Sequence, residues 1–143
     1  MSSSRAPGPP AVTTGEAAVT AAGYLALFLV GAVQGLIGTF QYGRGPAPLA
    51  AVLFDAAILV TCVLGSWGMG AAAGGVLPAV GWLIVTLALT SFATAGGSVI
   101  VTNTPAGMWF LYGGALCAAA GAVYAVARWS RLGRERRAGR RPR

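Results

Sequence analysis

The chain has 143 residues, 56% of them hydrophobic and only 9% charged, with a net charge of +7. Soluble domains carry about 25% charged residues, so this composition excludes an ordinary water-soluble domain and makes lipid the expected solvent. All ten basic residues are arginine and histidine is absent, which excludes catalytic triads and histidine-ligated metal centres.

In chain order, residues 1–16 come first. They are rich in Ser, Pro and Gly, with Arg5 the one charge through residue 14, and read as a disordered cytoplasmic lead-in. They do not resemble a secretory signal. The apolar run that follows is too long for a signal-peptide core, and no charged segment immediately precedes it.

Four apolar runs follow within an expected transmembrane domain 17–128, at about residues 18–40, 48–67, 77–95 and 105–128. Each is close to the roughly 20 residues a helix needs to cross about 30 Å of hydrocarbon. Lipid admits only helices or closed barrels, because every backbone polar group must be paired internally. Strand-like alternation is missing from these runs. The expected fold class is therefore all-α: a four-helix transmembrane bundle, up-down and antiparallel, with short loops.

The first loop is QYGRGPA at residues 41–47 and the second GMGAAAGG at 68–75. The third, GGSVIVTNTP at 96–105, contains a β-branched run at 99–102 that reads as a short extended piece or a lip on the interface. Residues 129–143 form a basic cytoplasmic tail.

Aromatic residues should mark the two interfaces. Trp67, Trp82 and Trp129 are expected at one, with Tyr124 slightly deeper. Trp109 is expected at the other, with Phe40, Tyr42 and Tyr112. Positive charge accumulates on the cytoplasmic side of membrane proteins. Eight of the ten arginines lie at or after Arg128, so the tail should stay inside. Four spans then place both termini in the cytoplasm, with Arg44 the one arginine outside. The bias to Ala, Gly, Pro and Arg points to a GC-rich bacterial genome, and so to the bacterial cytoplasmic membrane.

Asp55 is the one acid within any predicted span. A charge there costs roughly 2.5 kcal/mol or more, so it should face the bundle interior. Counted from the helix ends at 1.5 Å per residue, Gln34 lies at nearly the same depth. Ser91 falls close to that level, and Tyr112 somewhat above it. These four form a candidate buried polar layer. In a structural reading, Asp55 is protonated or hydrogen-bonded to Gln34 and Ser91 and fixes helix register. In a functional reading it is a proton- or cation-coupling site. A pairing with Arg44, or with a partner subunit, is a third.

Small residues recur at helix spacing: Gly31 and Gly35 in the first run, and Gly114, Ala118 and Ala122 in the fourth. They suit close packing within the bundle; a homodimer seam and plain compositional bias are the alternatives. Cys62 and Cys117 sit inside apolar runs and read as small buried hydrophobes. No phosphate-binding loop pattern is present, and no cofactor is expected. The arginine tail suits anionic lipid headgroups. No nucleic acid is expected as a partner, because aromatic residues do not interleave with the charges beyond Trp129.

The segment GGSVIVTNTPAGMWFLYGGALCAAAGAV, the acid in the second span and the arginine-rich tail together resemble a family of small actinobacterial four-helix integral membrane proteins of unknown function. The resemblance covers the chain from about Ala18 onward. It implies four spanning helices and carries over no activity and no site residues. The expected role is that of a non-enzymatic accessory or scaffold subunit, with another membrane protein or a second copy as partner. The alternative is a small oligomeric transporter or channel protomer using Asp55.

Overall fold

A computed structural model describes residues 14–41, 43, 49–95 and 104–138, which fold into four helices. They are α1 (Thr14–Gln41), α2 (Leu49–Gly68), α3 (Ala72–Ala95) and α4 (Pro105–Ala138), each long and apolar enough to cross a membrane. No strand occurs among the described residues. The lead-in through residue 13, Arg44 and the β-branched run at 99–102 lie outside the described residues. Residues 14–16, assigned above to the lead-in, form the first turn of α1.

The bundle is apolar on both its inside and its outside. Its interior holds mainly small residues such as Ala51 and Cys62, with Ile58, Trp82 and Phe110 as the large ones and Thr39, Asp55, Ser66 and Thr86 as buried polar ones. Its outside carries the large aliphatic ones: Leu53 is 61% exposed, Leu64 60%, Leu116 72% and Val123 66%. Soluble monomers rarely expose apolar patches above a few hundred Å². Water would not tolerate this surface, whereas hydrocarbon solvates it. The chain is thus a multi-pass membrane protein.

Seen end-on, the helices stand at the corners of a rhombus whose short diagonal is α2–α3. Both of those helices touch each other and α4, while α1 packs chiefly along α3 and more lightly on α2. Sequential helices run antiparallel, since Gly65 meets Gly74 and Gln34 meets Thr61. The closest approach, however, joins the parallel pair α1 and α3, which are not consecutive.

Glycine explains why. A methyl group added at Gly35 would stand 2.9 Å from the Trp82 carbonyl oxygen, and one at Gly31 only 2.6 Å from the Pro78 carbonyl carbon. Gly81 faces the backbone of Phe28 and Ala32 in the same way. With no hydrophobic effect between helices in lipid, such backbone-to-backbone contact is the main source of attraction. It also places glycine Cα–H groups against carbonyl oxygens, a weak hydrogen bond.

The second loop is shorter than the sequence indicated. α3 begins at Ala72, not at 77, and Gly74 and Gly75 are buried in its first turn. A methyl group at Gly75 would lie 2.7 Å from the Cys62 carbonyl oxygen and 2.6 Å from Ala125 Cβ. These glycines are packing residues of a helix. The turn itself is set by Gly70, whose φ of 58° lies in the left-handed region. Its N–H donates to the Trp67 carbonyl at 3.2 Å and closes the end of α2, a helix stop that favours glycine.

α4 starts on a capped turn. Pro105 occupies the first turn and Thr104 Oγ1 accepts from the Gly107 N–H at 3.3 Å, which satisfies a donor the helix cannot. Residues Trp109–Gly113 then widen into a π-helix, and the α-helix resumes from Gly114 through Ala138. The basic tail assigned above to 129–143 is therefore helical to Ala138. Arg, Leu, Glu and Ala are good helix formers, and extending an existing helix avoids the cost of nucleation.

Candidate functional site: a buried acid against a double glycine

Asp55 faces the interior and is 4% exposed. Its Oδ1 is buried without a hydrogen-bond partner among the described residues. Opposite stand Gly113 and Gly114, where the π segment of α4 ends. A methyl group at Gly114 would come 3.0 Å from Oδ1, and one at Gly113 would overlap Oδ2. The carboxyl thus lies directly on the α4 backbone, in space that only glycine leaves open.

The remaining wall is aromatic. Trp82 is 1% exposed and its indole packs over Gly114. It meets Phe110 edge to face, with ring centroids 5.7 Å apart at 60°, a favourable quadrupole arrangement. Trp82 is therefore a core residue, not the interfacial marker expected from sequence. The early start of α3 is the reason, because it moves Trp82 from near a helix end to its eleventh residue. Trp67 and Trp109, each 56% exposed, do lie on the outside near the two ends.

The expected polar layer does not form as drawn. Gln34 is half-buried and its Nε2 donates to Thr61 Oγ1 at 2.8 Å, not to Asp55. Thr61 is six residues beyond Asp55, about 9 Å along α2. The depth count assumed that α1 and α2 end at one level. Instead Gly38 of α1 lies beside Phe54, so Asp55 is level with Gly38 and Thr39, about one turn from Gln34. Thr39 is buried there, but its hydroxyl donates to the Gly35 carbonyl at 2.7 Å. Ser91 is exposed, and Tyr112 is 72% exposed on the outer surface of α4. Neither belongs to an interior layer.

Of the small-residue positions, Gly31, Gly35, Gly114 and Ala118 are buried in helix contacts and Ala122 is half-buried. Two further features lay beyond the sequence reading. Thr86 is 1% exposed with an unpartnered Oγ1 among the described residues. Gly113 is the residue that opens α4 to Asp55; its signal was the adjacent pair of glycines in mid-helix, legible only once a facing acid is known.

Gly113 has a second neighbour. On the lipid side of α4, a groove of about 490 Å³ is lined by Pro105, Met108, Trp109, Tyr112, Gly113 and Leu116. The groove floor and the face against Asp55 therefore share one side-chain-free residue. A bare carboxylate in hydrocarbon is costly, so this acid calls for a donor, a counter-charge or a proton. π-segments recur at functional sites because they interrupt the regular ladder.

The chain matches no known protein family, no curated protein and no solved structure.

Proposed function

We propose that this protein is a non-enzymatic accessory or scaffold subunit of the bacterial cytoplasmic membrane, one of the small actinobacterial four-helix proteins it resembles. It holds the transmembrane helix of a partner protein. The observation that carries this reading is Gly113, which floors an apolar groove on one side and on the other touches Asp55, whose Oδ1 has no hydrogen-bond partner among the described residues. A partner helix seated along Trp109, Tyr112 and Leu116 would bury exposed aromatic surface. An amide or basic side chain on it would meet the acid past the glycine. Such polar contacts between membrane helices contribute about 0.6–2 kcal/mol each.

A photoreactive residue at Tyr112 tests this in native membranes. It should give one discrete adduct, whereas the same residue at Leu87, exposed on α3, should give none. An adduct of two copies of the chain would make the partner a homo-oligomer. Equal labelling from both positions would remove the case for a specific seat.

The second reading is a transporter or channel protomer, favoured by the buried acid beside a π segment. It has less support, because a polar route beyond Asp55 is poorly supplied. Thr61 and Ser66 donate to their own helix, at the Ala57 and Val63 carbonyls. The glycine seams between helices are closed backbone to backbone. Proton-coupled flux in proteoliposomes, lost in Asp55→Asn, would reverse the preference.

The orientation proposed is cytoplasmic for both termini, on the strength of the arginine distribution. A C-terminal reporter should be active only in its cytoplasmic form; an active extracytoplasmic reporter at that end would invert the topology.

A further inference from the structure

At the opposite end of α4, the structure holds a second constellation. Arg128 is fixed on two sides: its guanidinium lies over the Trp67 ring at 4.7 Å, and Nη1 donates to Tyr124 Oη at 3.2 Å. Trp67 Nε1 donates to the same oxygen at 3.3 Å, so α2 and α4 jointly position the cation. Cation–π contact and the phenol orient the guanidinium but leave its charge in place. No acid pairs with Arg128 among the described residues, and its Nε is buried without a partner. The cation is pre-positioned, with no anion against it among the described residues.

The surroundings state what kind of anion. A cup of about 420 Å³ is lined by Tyr124, Ala127, Arg128, Arg131, Leu132 and Glu135. Glu135 is seven residues from Arg128, about 10 Å along the helix axis, and one turn from Arg131, so Arg128 is the arginine of the cup that stands clear of the acid. Adjoining it through the shared Ala127 is an apolar slot of about 310 Å³, lined by Ala122, Val123, Val126 and Ala127. The slot lies on the neighbouring face of α4, and its other three residues fall on the hydrophobic side of Ala127. Charge at one end and a hydrocarbon trough at the other match one molecule with both parts.

We propose that this is a binding site for an anionic glycerophospholipid. Its phosphate sits on Arg128 and Arg131, where a guanidinium can give two parallel hydrogen bonds to phosphate oxygens. One acyl chain lies in the Ala122–Val126 slot. The site differs from a general attraction of the arginine tail to the membrane surface, because it assigns the effect to one positioned arginine. It is independent of the partner-helix reading, which concerns the other end of α4.

The test uses the full chain purified in detergent. Native mass spectrometry measures retained lipid as phosphatidylglycerol, phosphatidylcholine or inorganic phosphate is added. Phosphatidylglycerol should be retained at lower concentration than phosphatidylcholine, and inorganic phosphate should not displace it. Arg128→Gln should weaken retention about fivefold, the equivalent of about 1 kcal/mol for one arginine at the surface. Arg137→Gln, in the exposed tail, should change it little. Tyr124→Phe keeps the ring and removes the hydroxyl; it should also weaken retention, which keeps the proposal testable if Arg128→Gln unfolds. Equal effects of Arg128→Gln and Arg137→Gln would reduce the site to surface electrostatics. Displacement by inorganic phosphate would show that the slot holds no chain. Either result overturns the proposal.

Discussion

Leucine at position 55 should give a bundle that is more stable than the natural one and no longer holds its partner. A buried polar atom without a hydrogen bond costs about 1–3 kcal/mol, and among the described residues Asp55 Oδ1 is such an atom. Leucine has nearly the same branched shape, so it refills the space against Gly113, Gly114 and Trp82 without a large cavity. Exchanging an unpaired polar group for an apolar one of similar shape is neutral or stabilising. The expected gain is about 1–2 kcal/mol, read from denaturant unfolding of the purified protein in detergent. Asp55→Asn should be nearly neutral on the same measurement, because the amide inherits the same unpartnered position.

Partner capture through the Tyr112 crosslink should move the other way. It should be lost in Asp55→Leu and retained at least in part in Asp55→Asn, which can still bond a donor. A loss of stability on substituting leucine would show that the carboxyl makes a contact that holds the bundle. Full partner capture by the leucine variant would put the acid outside the interface. The two readouts therefore separate a structural role from a functional one.

The second large effect is expected at Gly31. Alanine there should loosen α1 from α3, although alanine is the better helix former. The propensity gain is about 1 kcal/mol at most. Against it stands a methyl group 2.6 Å from the Pro78 carbonyl carbon and 2.7 Å from its Cα. These are backbone atoms of a second helix, so no side chain can turn aside. Overpacking of this kind costs about 1–3 kcal/mol, and the separated helices also lose the backbone contacts at Gly35 and Gly81. A net loss of up to about 2 kcal/mol follows from these terms. Gly68→Ala is the control, since nothing lies within 4 Å of a methyl group there; it should be neutral or slightly stabilising. If Gly31→Ala unfolds at the same denaturant concentration as the natural chain, the α1–α3 seam is not what holds α1.

The sequence by itself determined the class of solvent, the number of helices and their alternating direction. Those follow from run length, from the scarcity of charge and from short connections, all of which are local properties. It also singled out Asp55, because one acid in an apolar run is costly wherever the run lies. What surrounds the acid was decided by tertiary structure. The level of one helix against another depends on where glycines let backbones meet, and this slid Gln34 about one turn from Asp55 and onto Thr61. Gly74 and Gly75 look the same in a loop as in a buried helix turn, so the start of α3, and with it the burial of Trp82, could not be read from composition. Gly113 acquired its meaning only from the acid that faces it. In lipid, helices form from their own sequences, whereas their register is a property of the pair, fixed by backbone contacts that no single segment encodes.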